Sequence, residues 1–362
     1  MKIKNILLLG VLLAATISSC SKDSDTPEPE KGDAQLNIAL KASSDLLKAT
    51  TNEELAGESN INNITVFQFT EDGSGLMIDP YRTEMSASGS ATLPDIPSKV
   101  GMAKIVLVVN TASGALNGVT SYSQLQSVLA KLSDQSTSNL TMSSQVITTK
   151  SPLTEGDNYL GYSSVGESGN INGITTPLEV TRLVARVDLI GLRTEFAGTK
   201  LEGGIVRIDE VSLTDIKTAS HFFSQDYWGV VMTDGNFANT ETVKINKQIY
   251  DGSPLSGVTL RNYVMENDGA VSGRPTLVRV KATLLASKGY LEQEKTFTSI
   301  VNLNGVVQQG VIHKYVKRNH VYRLNIKFGK NSFDPDQDPM AALDVQVEVV
   351  AWGPVTQDVE IE

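Results

Sequence analysis

Of the 362 residues only Cys20 carries a thiol. One thiol excludes an intrachain disulfide, a thiolate metal cage and a redox pair, so the fold must rest on buried apolar surface. Histidine is almost as scarce: His221, His313 and His320 stand in no HExxH or other paired metal spacing. No G-x-S-x-G elbow is present, and the glycines of 161–166 precede no GK[ST], which leaves them as turn glycines. Aromatic residues make up 6% of the chain, and Trp228 and Trp352 lie far apart in sequence, so no aromatic platform for sugars is evident. Carboxylates are plentiful, yet no spacing singles out a glycosidase pair. Asp334, Asp336 and Asp338 are spaced like the start of a calcium loop, but Pro339 stands where glycine belongs and Val345 where the bidentate glutamate belongs. The segment reads as a solvated loop. No enzyme, cofactor or metal is expected.

Long apolar runs are also missing, except at the start. Lys2 and Lys4 precede an apolar stretch from Ile6 to Ile17, which closes on Ile17-Ser18-Ser19-Cys20. That stretch is too short to span a bilayer whose hydrocarbon is about 30 Å thick, and its order is that of a lipoprotein signal peptide. Residues 1–19 are expected to be removed and Cys20 to be acylated, with palmitate among its chains. Two or more chains anchor a protein stably, since each buried CH₂ contributes about 0.8 kcal/mol. The mature chain is expected at the outer membrane, held by the lipid on Cys20.

Basic charge is in deficit too, at 31 basic against 41 acidic residues. Loss of Lys2 and Lys4 with the signal leaves 29 against 41, a net charge of −12. An acidic surface repels phosphate backbones, and no basic stripe offsets it, so no nucleic-acid partner is expected. The densest basic cluster, His313 to Arg318, reads as the solvated entry to a strand.

What is present is period-two alternation. Residues 20–33 contain no aliphatic or aromatic side chain beyond the lipidated cysteine and read as a flexible tether. The alternation of Leu36, Ile38 and Leu40 with polar or small residues marks a first strand with one buried face. A polar stretch from Lys41 to Asn60 reads as a long loop before a second strand at 64–69. The run 104–109 is apolar on both faces, as a central strand requires. Leu125, Val128, Leu129 and Leu132 fall at helical spacing, with Ser121 and Gln124 set as a capping box, which predicts one helix packed on a sheet. Cleaner alternation appears from Pro177 onward, in 277–284 and 321–328. Many short strands and turn residues predict a mainly β chain of paired sandwiches, with one or a few short helices in the N-terminal domain. The expected domains are 34–176 and 177–362.

Several motifs carry a family resemblance. They are Asn158-Tyr159-Leu160-Gly161-Tyr162-Ser163, Thr181-Arg182-Leu183-Val184-Ala185-Arg186-Val187, Val264-Met265-Glu266-Asn267 before Arg274-Pro275-Thr276, Lys317 to Tyr322, and the closing segment from Leu343 to Trp352. In this order, from lipobox to C-terminus, the chain resembles the major fimbrial subunit (fimbrillin) family, whose members build type V pili. The resemblance implies two transthyretin-like β-sandwich domains, exported as a lipidated precursor. It also implies that a trypsin-like surface protease removes the first strand, 34–41, and that the groove left behind takes a strand from a neighbouring subunit. Lys48, before Ala49, aligns with the processing site, where the family usually has arginine.

The residues meet the demands of that mechanism independently. Leu36, Ile38 and Leu40 supply a removable apolar strand, and Lys48 supplies a basic cleavage residue. Leu343, Val345, Val347 and Val349 alternate with Asp344, Gln346 and Glu348, and Val355, Val359 and Ile361 continue beyond Trp352. Read from the residues alone, 343–362 is either a donor strand or the ordinary last strand of the second domain; the resemblance favours the donor. The leading reading is a structural subunit of an adhesive fimbrium, partnered by copies of itself and related pilus subunits. The alternative is a tip or accessory adhesin that binds host protein or glycan, or a surface glycan-binding lipoprotein.

Overall fold

The structure is a computed structural model that describes residues 32–42, 54–223, 237–250, 253, 255, 260–286, 289–308, 311–334 and 343–351. Ten strands make up the first part of the chain. They are β1 (Ala34–Ala42), β2 (Asn60–Thr70), β3 (Tyr81–Ser88), β4 (Ser90–Ser98), β5 (Ala103–Val109), β6 (Leu129–Lys131), β7 (Met142–Ser144), β8 (Ile147–Thr148), β9 (Gly156–Leu160) and β10 (Leu178–Arg182). All but β6 form one sheet in the order β3-β2-β5-β7-β10-β1-β4, with β8 on β5 and β9 on β1. The sheet folds over a core in which Leu36, Ile38 and Leu40 of β1 meet Ile64 and Val66 of β2, Ile105 and Leu107 of β5, and Leu178 and Val180 of β10.

The second part begins with β11 (Val184–Thr194), β12 (Ile205–Thr214), β13 (Ile216–Lys217), β14 (Ala219–His221), β15 (Phe237–Ala238) and β16 (Val243–Tyr250). It continues with β17 (Leu260–Met265), β18 (Leu277–Leu284), β19 (Gln293–Ile300), β20 (Val306–Gln308), β21 (Val311–His313), β22 (His320–Phe328) and β23 (Leu343–Ala351). A six-stranded sheet, β15-β13-β17-β11-β22-β23, faces a four-stranded one, β16-β12-β18-β19. Between them lie alternate residues of facing strands, such as Val187 and Leu189, Ile208 and Val211, Val280 and Ala282, and Leu324 and Ile326. The fold is mainly β with two sandwich domains, as the alternation requires. The pairing of β10 with β1 and β7 carries the first sheet through Arg182, and the second begins at Val184, a few residues beyond 177.

The double-faced apolar strand is explained by a third core. Ile105 and Leu107 point into the first sandwich, whereas Val106 and Val108 join Phe67, Phe69 and Leu125 against Val184, Phe222, Phe223, Met265 and Val321 of the second domain. The domains are thus joined by buried apolar surface, and β6 adds an antiparallel pairing with β14 across the junction.

That pairing also corrects the helix. Helix α1 covers only Tyr122–Ser127 and stops at Val128, which is extended. The Ser127 hydroxyl donates to the carbonyls of Ser123 and Gln124, and Leu129 then enters β6 instead of a further helical turn. The cap is real: Ser121 accepts from the Gln124 N–H at 3.3 Å, while Gln124 Oε1 accepts from Thr120, one residue before the box position. The other helices of the described residues are single turns.

Candidate functional site

Strand β1 is locked in on both edges. On one side it pairs antiparallel with β4, from Ala34↔Ser98 to Lys41↔Ser90. On the other it runs parallel to β9 through Ile38↔Leu160 and then to β10 from Leu40↔Leu178. Leu36 and Ile38 are 0% exposed, and Leu40 is 1% exposed. The change of neighbour from β9 to β10 needs a close approach at Gly161. Its φ is +87°, and a Cβ there would come 2.7 Å from the Ala39 carbonyl oxygen. Glycine is the residue that fits both conditions.

The pairing with β4 slips between Leu36↔Ile96 and Ile38↔Leu93, so Pro94 and Asp95 together oppose Asn37. Asp95 sits at φ +54° as the bulged residue. Its N–H donates to Asn37 Oδ1 at 3.1 Å, and Asn37 Nδ2 donates to Asp157 Oδ1 on β9 at 3.4 Å.

Residues 43–53 connect β1 to the rest of the chain. Lys48 and Ala49 lie there, outside the described residues, as does Cys20. Where the described chain resumes, it is clasped by charge, and Glu58, near the end of the expected polar loop, is buried. Arg182 is 0% exposed; it donates from Nε to the Glu58 carbonyl at 3.0 Å and pairs with the Glu54 carboxylate. Arg186 holds both oxygens of Glu58 at 2.8 Å and also binds Asp188. The Tyr263 hydroxyl donates to Glu58 at 2.6 Å. Burial pushes the Arg182 guanidinium below its ordinary pKa. Burial opposes charge on Arg186 as well, but its hydrogen bonds to the Asp188 and Glu58 carboxylates outweigh it and raise that pKa. Burial raises Asp188 and Tyr263.

A second buried pair corrects the reading of the basic cluster. Lys317 is 1% exposed, Arg318 8%, and Asn319 and His320 0%. Arg318 donates from Nε to Glu266 at 3.0 Å and from a terminal nitrogen to the Phe222 carbonyl at 3.1 Å. Ser143 of the first domain reaches the same carbonyl at 2.6 Å. This entry to β22 is therefore packed against the domain junction, and burial lowers the Lys317 ammonium to about 7.

Strand β23 is the outer strand of the six-stranded sheet. It pairs antiparallel with β22 along its full length, from Phe328↔Leu343 to His320↔Ala351, and Val345 and Val347 are half-buried against the second core. Among the described strands, none pairs with its other edge. Val349 lies in the same strand, whereas Val355, Val359 and Ile361 lie outside the described residues. The structure thus keeps β1 and β23 in different sheets. Among the described residues no group of three His, Cys, Asp or Glu is arranged to hold a metal ion. Of the calcium-like segment only Asp334 is described, and its carboxylate lies 3.5 Å from Lys200.

Sequence reasoning missed the clasp. Its one local signal is the pair Arg182 and Arg186 within an otherwise apolar strand run, four residues apart, a placement that costs too much unless both find acids.

Comparison with known proteins bears on what this frame is. Residues 34–182 match the model of the major fimbrial subunit protein FimA, and residues 183–352 match that of the C-terminal domain of the fimbrium tip subunits like Fim1C. A protein of Parabacteroides distasonis named as a candidate fimbrium tip subunit, Fim1C, is 40% identical over 371 residues, covering 98% of this chain and 97% of its own. The chain belongs to the fimbrillin family. Its relatives include the FimA type-4 major fimbrium subunit of Porphyromonas gingivalis, 23% identical over 99% of both chains. A cell adhesion protein candidate of known structure from P. distasonis superposes with a TM-score of 0.80 at 40% identity, covering 90% of this chain and 99% of that one. The fimbrilin FimA of P. gingivalis W83 shares the fold, with a TM-score of 0.62 at 19% identity over 90% and 99% of the two chains. This fimbrillin is thus a fimbrial subunit, of a family of structural proteins that belongs to the cell-surface fimbrium.

Proposed function

We propose that this fimbrillin reaches the surface as an outer-membrane lipoprotein, loses β1 there, and joins the fimbrium as a tip subunit through the groove that β1 vacates. Removal of 1–19 and acylation of Cys20 tether the precursor through residues 20–33. A trypsin-like surface protease cuts between Lys48 and Ala49. The observation that carries the reading is the position of β1: the first strand of the chain lies inside a sheet, paired on both edges, with Leu36, Ile38 and Leu40 in the core. After the cut, non-covalent contacts alone hold it. An inserted strand regains the main-chain hydrogen bonds and fills the pockets with alternate side chains. The clasp fits this role, because Arg182 and Arg186 grip Glu54 and Glu58, directly after the cut segment. Cleavage frees β1 while the chain from Glu54 onward stays gripped.

The tip position is supported by the kinship of the second domain to tip subunits and by the 40% identity with the Fim1C protein. It is supported also by β23, which is used in full within its own sheet. In the shaft reading, residues 343–362 leave that sheet to serve the next subunit. The test is to treat purified protein, residues 21–362, with a Lys/Arg-specific protease, read the new N-terminus by mass spectrometry, and follow size by electrophoresis and electron microscopy. A cut after Lys48 that yields a monomer, which takes up strands offered by other subunits, is the expected result. Denaturant-sensitive ladders of this protein alone, abolished by deleting 343–362, would replace tip by shaft. Resistance at Lys48 would end the maturation scheme.

A further inference from the structure

We infer that the β1 groove is sequence-selective, and that its occupant in the fimbrium is a strand of a different subunit with a carboxamide at the position of Asn37 and a small residue two places on. The inference rests on the reading of β1 as an exchangeable strand. Its basis is the bulge at Pro94 and Asp95. The Asp95 N–H lies at the slip of the β1–β4 register and is satisfied by Asn37 Oδ1. The other face of the same carboxamide donates to the Asp157 carboxylate. One side chain therefore spans both neighbours of the strand, and it must offer an acceptor and a donor at once. Asparagine does so, and glutamine does so with one more methylene. Aspartate offers acceptors alone and sets two carboxylates together, while an aliphatic residue offers neither. Two residues on, Ala39 is 7% exposed opposite Thr92, so a small side chain is favoured there.

This chain's own C-terminal strand fails the requirement in every register that keeps valines on the apolar positions. Threaded in the direction of β1, Val345 on Leu36 brings Gln346 onto Asn37 but Glu348 onto Ala39. A two-residue shift one way places Asp344 at Asn37, and a shift the other way places Glu348 there; both face Asp157. Residues 355–361 do no better, since Val359 on Ile38 brings Asp358 to the bulge and Val359 on Leu36 brings Glu360. A carboxylate at the position of Asn37, 6% exposed, or of Ala39, 7% exposed, is disfavoured, and that argues for a different subunit over a second copy as the natural donor.

The test uses protein cut after Lys48, a labelled peptide of sequence AQLNIALKA, residues 34–42, and unlabelled competitors. The native peptide and its Asn37→Gln form should compete within a few-fold of each other. Asn37→Asp should be weaker by about fivefold, the ratio expected for one lost hydrogen bond, and Asn37→Ala, which loses both, by at least as much. The peptide LDVQVEVVA, residues 343–351, should be weaker by tenfold or more. Equal competition by the alanine peptide overturns the role of Asn37, and tight binding of the 343–351 peptide overturns the choice of a different subunit. If the native peptide itself does not exchange, the groove reading fails instead. The uncut protein supplies a separate check: Asn37→Ala should speed hydrogen exchange at the Asp95 amide, and unchanged protection there overturns the inference whatever the groove does.

Discussion

The first and last described strands are equally long and alternate alike, but they are held in opposite ways. Each has nine residues. β1 pairs on both edges and carries three fully buried aliphatic side chains, so it is a structural member of the first sandwich. β23 pairs on one edge and closes the rim of the second sandwich with half-buried valines. Sequence position thus says little about how much a strand supports. A terminal strand set inside a sheet stabilises the domain strongly while intact, and leaves an open apolar slot once it is cut away.

The largest expected effect breaks the comparison at β1. Burying Leu36, Ile38 and Leu40 contributes about 1.5–3 kcal/mol each, a sum of the same order as the whole stability of a typical domain, about 5–15 kcal/mol. A chain expressed from Ala49 should therefore lose the cooperative melt of the first domain and aggregate through its exposed strand edges, and added 34–42 peptide should restore both. Scanning calorimetry with and without peptide measures this; a first-domain transition displaced by only a few degrees would contradict it. The next effect concerns the clasp at Glu54 and Glu58. The Arg186 side chain is 2% exposed and that of Glu58 0%. Removing one partner strands a buried charge, so Arg186→Ala should cost about 3–5 kcal/mol in denaturant unfolding. Replacing Arg186, Glu58 and Asp188 together by apolar residues of similar size should cost much less. If the single change is as mild as the triple one, the triad is solvated and does not bind the domains.

The strands were legible in the sequence because their cause is local. A period-two pattern at Leu36-Ile38-Leu40 or Tyr322-Leu324-Ile326 already states which face is buried. The double-faced run of β5 was legible as central, though not as the wall between two cores. The helix was half legible: the cap at Ser121 is local, but the pattern beyond Ser127 is overruled by the pairing of β6 with β14, some 90 residues away in sequence. The basic cluster was misread for the same reason. Arg318 is buried because Glu266, 52 residues earlier, waits for it. Charges buried by distant partners leave no periodic trace.

A smaller effect separates the two regions by pH. Lys317 lies just before β22, the strand that holds β23, and burial lowers its folded pKa to about 7 from an unfolded value near 10.5. Between these values the unfolded chain binds more protons than the folded one, so this group makes stability rise with pH. The second-domain melt should strengthen from pH 7 to about 9.5, and Lys317→Met should flatten that rise while the first-domain melt is unmoved. The window stops there because Tyr322 and Tyr263, raised by burial, begin to favour unfolding at higher pH. A pH slope that survives Lys317→Met would assign it to another group.

The smallest effect tests the rim itself. Leu36→Ala leaves a cavity in a sealed core and should cost about 2–5 kcal/mol. Val345→Ala removes two methyl groups from a half-buried site that water already reaches, so its cost should be about 1 kcal/mol and confined to the second-domain transition. The ratio matters more than either value, because it compares what the first sandwich loses at a strand paired on both edges with what the second loses at its rim. Equal costs would mean that β23 is sealed as firmly as β1. The edge of the second sandwich would then be as unavailable for exchange as its centre.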